Sequence, residues 1–182
     1  MNRLCVILLP ELSGLGAIQR YRERFDPLAE KIPPHITLVF PFQIDAPSVP
    51  QVAIHVQNVV KDCSPFDISL GSPSIQADGF VFLFVEEGAE QIRQLHELLY
   101  TGPLTRFHQS HIPYVPHLTI GRVANPTKSA GAQEQLKELE TPFCGTVREV
   151  VVERIAEGER SLVEGRFPFL SRGPLVDPPR AG

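Results

Sequence analysis

His35 and Thr37 stand two residues apart in the string IPPHITLVFPF. The same residue types return at the same spacing, again behind a proline, as His117 and Thr119 in VPHLTIGRV. With an ordinary pKa near ~6.5, one imidazole can be neutral while another is protonated at the same pH. Two such rings and two hydroxyls around one small ligand are the set required for in-line displacement at phosphorus. One ring removes a proton from the attacking water or hydroxyl and the other protonates the departing oxygen. The threonine hydroxyls donate to the non-bridging oxygens, where charge collects. Taken singly, each string has an ordinary structural explanation, a histidine satisfied by a backbone carbonyl beside a threonine that suits a strand. The matched recurrence, Pro34-His35-Ile36-Thr37-Leu38 against Pro116-His117-Leu118-Thr119-Ile120, points instead to two structurally equivalent positions.

Strand geometry says what must hold these side chains. Successive residues of a strand face opposite ways, so His35 and Thr37 share one side while Ile36 and Leu38 share the other. The aliphatic side enters a core. If an internal two-fold relates the two strands, both His-Thr pairs face a common cleft.

Further strands are expected at Arg3–Leu9, His35–Phe40, Phe66–Leu70, Phe80–Val85, His117–Val123, Val147–Ile155 and around Leu162–Phe167, each short, aliphatic or aromatic, and bounded by turn formers. Helical periodicity appears over Ala17–Ala29, Val49–Val60, Ala89–Tyr100 and Lys128–Glu140. The valines of the second of these segments dilute its helix propensity. Interleaving of this kind, with few long crossovers, indicates an α+β fold. The segment from Ser171, SRGPLVDPPRAG, has the composition of a flexible C-terminal tail, which leaves residues 1–170 as a single domain.

Composition narrows the function. A chain of 182 residues can bury a core without staples. Its three cysteines, Cys5, Cys63 and Cys144, show neither a disulfide framework nor a zinc spacing. The run Leu4–Leu9 meets Pro10 and Glu11 with no cleavage site, and no run approaches a membrane span, so a cytoplasmic location is expected. A net charge of −4 argues against coating long nucleic acid, while a small nucleotide or an RNA terminus stays compatible. His108, His111 and His117 lie close in sequence but match no metal signature, and no metal is expected. That segment reads as a surface loop, in which His108, His111 or Tyr114 could reach a ligand. His55 and His96 fall on helices as surface or half-buried residues. Phe40, Phe42, Phe80, Phe82 and Phe84 read mostly as core, with a rim aromatic able to stack on a base. Neither a G-x-S-x-G elbow nor a phosphate-cradling glycine loop is present, which weighs against serine hydrolase and ATP-dependent chemistry.

The two H-x-T-aliphatic strings, one in each half of the chain, resemble the 2H phosphoesterase superfamily, and DPLAEKIPPHITLVFPF is similar to the first motif region of its 2′-5′ RNA ligase-like branch. The resemblance covers about residues 3 to 170. It implies a bilobal α+β fold, two antiparallel-rich sheets with flanking helices around a central cleft and a pseudo-two-fold axis, with one motif per lobe. It implies metal-independent, cofactor-free opening of 2′,3′-cyclic phosphates or related 2′-5′ phosphodiesters, with His35 and His117 as the acid and base and Thr37 and Thr119 on the phosphate. Arg122 matches an arginine often found after the second motif. Strand alternation puts Arg122 opposite His117, so a phosphate role needs a twist or bulge at Gly121; otherwise it is a solvated strand end. A monomer acting on a small nucleotide or RNA terminus is the expectation. The rival is a binding module that keeps the cleft without turnover.

Overall fold

The computed structural model describes residues 1–123, 134, 136, 137, 139 and 142–170. The helix expected over 128–140 lies for most of its length outside the described residues, and the tail from 171 lies wholly outside them. Strand β1 (Asn2–Leu8) is followed by the two-residue β2 (Glu11–Leu12), helix α1 (Leu15–Phe25) and β3 (Ile36–Ile44). Then come α2 (Val49–Val60), β4 (Phe66–Ile75), β5 (Phe80–Val85), α3 (Ala89–Leu99) and β6 (His117–Arg122). Strands β7 (Phe143–Val147), β8 (Glu149–Ile155) and β9 (Ser161–Pro168) close the described chain.

The strands form a nine-stranded sheet in the order β2-β7-β4-β5-β6-β3-β1-β8-β9, curled into a half-barrel. Two lobes are visible in that order. In one, β1 and β3 are antiparallel neighbours joined through α1; in the other, β5 and β6 are antiparallel neighbours joined through α3. β8 flanks β1 as β4 flanks β5. Both linking helices begin at a glycine in the left-handed region, Gly14 (φ 75°) and Gly88 (φ 78°), a turn that a residue with a Cβ makes only under strain. The lobes meet where β3 pairs with β6 through Ile36 and Leu118, so the expected two sheets are halves of one.

One face of the sheet is the core. Leu4, Val6, Ile36, Leu38, Leu83, Leu118 and Ile120 are fully buried against α1, α2 and α3. The valine-rich α2 turns the spacing Val52, Val56, Val60 into one buried stripe, because packing outweighs the propensity deficit. The opposite face is left for the cleft. It carries a small separate cluster of Cys5, Ile7 and Val151 in one lobe and the half-buried row Phe80, Phe82, Phe84 in the other. Three of the five phenylalanines read as mostly core therefore sit on the cleft side. β5 alternates Phe with Val and Leu, and the aliphatic set takes the core.

Candidate active site

The four motif residues converge as the duplication requires. Ile36 opposite Leu118 fixes the antiparallel register. Continued one residue each way, it sets His35 across from Thr119 and Thr37 across from His117. Cross-strand partners of that kind stand ~4.5–5.5 Å apart at Cβ. His35, Thr37 and Thr119 line a cavity of about 240 Å³ at the lobe junction. His117 leans on Phe82, with ring centroids 3.9 Å apart, and lies close enough for the charge of His35 to act on it.

Both rings are held in the same way. His35 Nδ1 is 2.8 Å from the carbonyl of Pro33, and His117 Nδ1 is 2.8 Å from the carbonyl of Val115, each two residues back. A carbonyl only accepts, so Nδ1 carries the proton and, in the neutral ring, Nε2 holds the lone pair. The prolines at 34 and 116 have a role here. The residue before a proline is pushed into the extended region, which fixes where the accepting carbonyl of Pro33 or Val115 lies. Burial moves both imidazoles below the usual histidine value, opposed in each by the carbonyl bond, and the charge of His35 lowers His117 further.

The bulge that Arg122 needs is present. On β5 the step from Phe82 to Val81 spans one residue, while on β6 the matching step from Thr119 to Gly121 spans two, so β6 carries an extra residue at Ile120. Alternation resets there. Arg122 pairs with Phe80 on the face shared by Thr119 and His117, exposed, with its guanidinium 4.8 Å from the Phe80 ring centroid.

Behind the first motif lies a layer that the sequence did not announce. Tyr114 donates its hydroxyl to the carbonyl of Thr37 at 2.8 Å and stacks at 3.6 Å on His96. His96 donates Nδ1 to the carbonyl of Leu38 at 2.7 Å. His96 is 3% exposed, against the expected surface or half-buried position, because α3 packs it directly on β3. His108 packs its ring 4.7 Å from Tyr100, and His111 is exposed. Among the described residues no group of three or more His, Cys, Asp or Glu could hold a metal ion, and no helix is long and apolar enough to cross a membrane.

Charged side chains on the His35 side were also unforeseen. Arg22, Asp26, Glu153, Arg3 and Glu159 all line the cavity. Arg22 lies on the amphipathic α1 with Ile18 and Tyr21, and Glu153 lies inside VVVERI, but a charged residue is usually solvated, so neither type announces burial.

Residues 10–159 match the family model of the 2′-5′ RNA ligase superfamily. A relative from Geobacillus kaustophilus, named a "putative phosphoesterase", is 31% identical over 144 residues, covering 78% of this chain and 82% of that protein. One of the same description from Bacillus licheniformis is 29% identical over 118 residues, covering 64% and 69%. Among solved structures, E. coli LigT complexed with 3′-AMP superposes with a TM-score of 0.68 at 18% identity, covering 93% of this chain and 99% of that one. TT0787 of Thermus thermophilus gives 0.67 at 19% identity, covering 94% and 100%. At such identities these structures establish the fold.

Proposed function

The chain belongs to the 2′-5′ RNA ligase superfamily of 2H phosphoesterases, and from that premise we propose that it is a metal-independent phosphodiesterase acting on 2′,3′-cyclic phosphates or 2′-5′ linkages of small nucleotides or RNA ends. The observation that carries this reading is the duplicated imidazole geometry. Two rings approach one junction, each with Nδ1 pinned to the carbonyl two residues back and with no hydrogen bond to Nε2 among the described residues.

A phosphodiester seated at the junction receives hydrogen bonds from Thr37 and Thr119 on its non-bridging oxygens, and Arg122 adds a cation from the β6 side. Water attacks phosphorus in line with the departing ribose oxygen. One histidine takes the water proton on Nε2 as the new P–O bond forms. The other, protonated on Nε2, hands its proton to the leaving oxygen as the old bond breaks. The anion itself restores proton affinity to rings that burial has weakened, so the charged acid forms when substrate binds. When the 5′-hydroxyl of a second strand attacks a 2′,3′-cyclic phosphate in place of water, one histidine takes its proton, the P–O3′ bond breaks and the other histidine protonates O3′, which leaves a 2′-5′ bond formed without ATP. The cleft serves a nucleotide or an RNA terminus in a cytoplasmic setting.

The test is hydrolysis of 2′,3′-cyclic nucleotides and of a short RNA with a 2′,3′-cyclic end, in EDTA, by the intact protein, His35→Ala and His117→Ala. Turnover in EDTA, lost by at least a hundredfold in each variant, is the expected result. Phosphate-dependent binding without product, surviving loss of either histidine, would identify a sensor module instead.

A further inference from the structure

We propose that the His35 side of the cleft is a recognition subsite for the group esterified to the phosphate. In it Glu153 accepts, and Arg22 donates, hydrogen bonds to a moiety bearing both a donor and an acceptor, a nucleobase edge or ribose hydroxyls. The inference rests on the phosphodiesterase reading for the place of the phosphate.

Glu153, on β8, is 1% exposed, and its Oε1 has no hydrogen-bond partner among the described residues. Its Oε2 receives only the Cys5 thiol, at 3.8 Å, whose pKa burial and the Glu153 charge push up to about 12. Arg22, on α1, is 2% exposed. It places Nε (2.9 Å) and Nη2 (2.7 Å) on Asp26 Oδ2, and Nη2 also reaches the carbonyl of Ile32 at 2.8 Å. Its Nη1 is buried without a partner among the described residues. Both side chains line the cavity that holds His35, Thr37 and Thr119.

A structural carboxylate at such depth would be met by an arginine or by backbone N–H groups, because an unpaired buried charge is costly. Here an arginine shares the cavity, yet it is turned to Asp26, and an acceptor, Glu153 Oε1, and a donor, Arg22 Nη1, stay buried without a partner among the described residues. The remaining charged neighbours are committed: Arg3 holds Glu159 at 2.8 Å, and Asp26 also accepts the backbone N–H of Leu28. A carboxylate repels phosphate, so its ligand is the uncharged part of the substrate. An unpartnered acceptor and an unpartnered donor on residues that line one cavity suit a group that offers the complementary pair.

The experiment is calorimetric binding of the four 3′-nucleoside monophosphates, of an abasic methyl riboside 3-phosphate and of inorganic phosphate to the intact chain and to Glu153→Gln and Glu153→Asp. The intact chain should bind nucleotides tighter than inorganic phosphate. Glu153→Gln should weaken them tenfold or more while leaving inorganic phosphate unchanged, and unchanged phosphate binding also certifies a folded cleft. Glu153→Asp, which keeps the charge but withdraws it by one methylene, should show an intermediate loss and carries the test if the Gln variant does not fold. A loss confined to nucleotides assigns the subsite to the base, and an equal loss on the abasic ligand assigns it to ribose. Nucleotide binding unchanged in Glu153→Gln, or inorganic phosphate weakened as much as nucleotides, overturns the proposal. Failure of the intact chain to bind inorganic phosphate would instead sink the phosphodiester reading.

Discussion

Gly121→Ala tests whether the site depends on how closely one lobe's helix approaches the other lobe's motif strand. A Cβ at Gly121 would lie 2.9 Å from Phe25 Cβ and 3.3 Å from both the Phe25 carbonyl oxygen and Tyr21 Cε1. Carbon atoms prefer ~3.5–4.0 Å, so α1 and β6 must separate by about 0.6–1.1 Å. Neither Phe25 Cβ nor a backbone oxygen can swing aside as a flexible side-chain tip would. Overpacking of that kind costs about 1–3 kcal/mol. The displacement falls where it matters. Thr119 and Arg122 flank the glycine on β6, while α1 carries Arg22, and a misplacement of roughly 1 Å in positioned groups is worth on the order of a hundredfold in rate. Urea unfolding and kcat/KM on a 2′,3′-cyclic nucleotide, measured on the same preparation, read both effects. A stability within about 0.5 kcal/mol of the parent together with unchanged kcat/KM would refute the claim that this contact sets the site.

Other consequences are equally direct. The pH dependence of kcat/KM should be bell-shaped and centred below pH ~6.5, since that parameter reports the free protein and burial holds both rings low; a single limb, or a centre above about 7.5, contradicts the paired-histidine reading. Arg122→Ala should cost roughly ten- to a hundredfold in kcat/KM, about 1.5–3 kcal/mol for a charge-assisted bond to phosphate. Arg122→Lys should recover only part of that loss, because an ammonium lacks the flat fork that lies over Phe80; equal activity of all three proteins would remove Arg122 from the site. Stability should fall on acidification from pH 7.5 to 5.5. His35, His96 and His117 have folded pKa values below the unfolded ~6.5, so the unfolded chain takes up more protons in that window. A melting temperature that is flat or rises across it refutes the sign, and added inorganic phosphate should offset the fall.

What could be read from the sequence was what local spacing encodes. The two His-Thr strings, their aliphatic partners and the strand–helix–strand order follow from period-2 and period-3.6 patterns, and the structure places them accordingly. What could not be read depends on register between distant segments. The extra residue at Ile120 exists only as a mismatch between β6 and β5, and it alone decides which face Arg122 takes. Phe80, Phe82 and Phe84 alternate with Val and Leu, all apolar, so no polarity marked the cleft side. β2 is two residues long, and of β7 only Val147 fell within an expected strand. Glu153 drew no reading from the sequence, since a charged residue is usually solvated. One signal was present and unused: a glycine opens both α1 and α3, at matching places in the two halves.

On the proposed reading, the symmetry and its breaking divide the labour of the cleft. An in-line displacement is itself nearly symmetric about phosphorus, with an entering oxygen and a leaving oxygen on opposite sides. A duplicated strand that delivers one imidazole and one hydroxyl from each lobe therefore matches the part of the reaction that is the same from both directions. The two substituents on phosphorus differ, and so do the lobes beyond the motifs. The β5–β6 side offers three aromatic rings and an exposed Arg122, while the β1–β8 side offers a buried Glu153 and Arg22. Exchanging the histidines' protonation states would run the proposed displacement in reverse, whereas the described residues of the two lobes differ too much for the two substituents to trade places. On that reading the chemistry at phosphorus can run both ways, and the choice of substrate falls to the residues that the duplication did not copy.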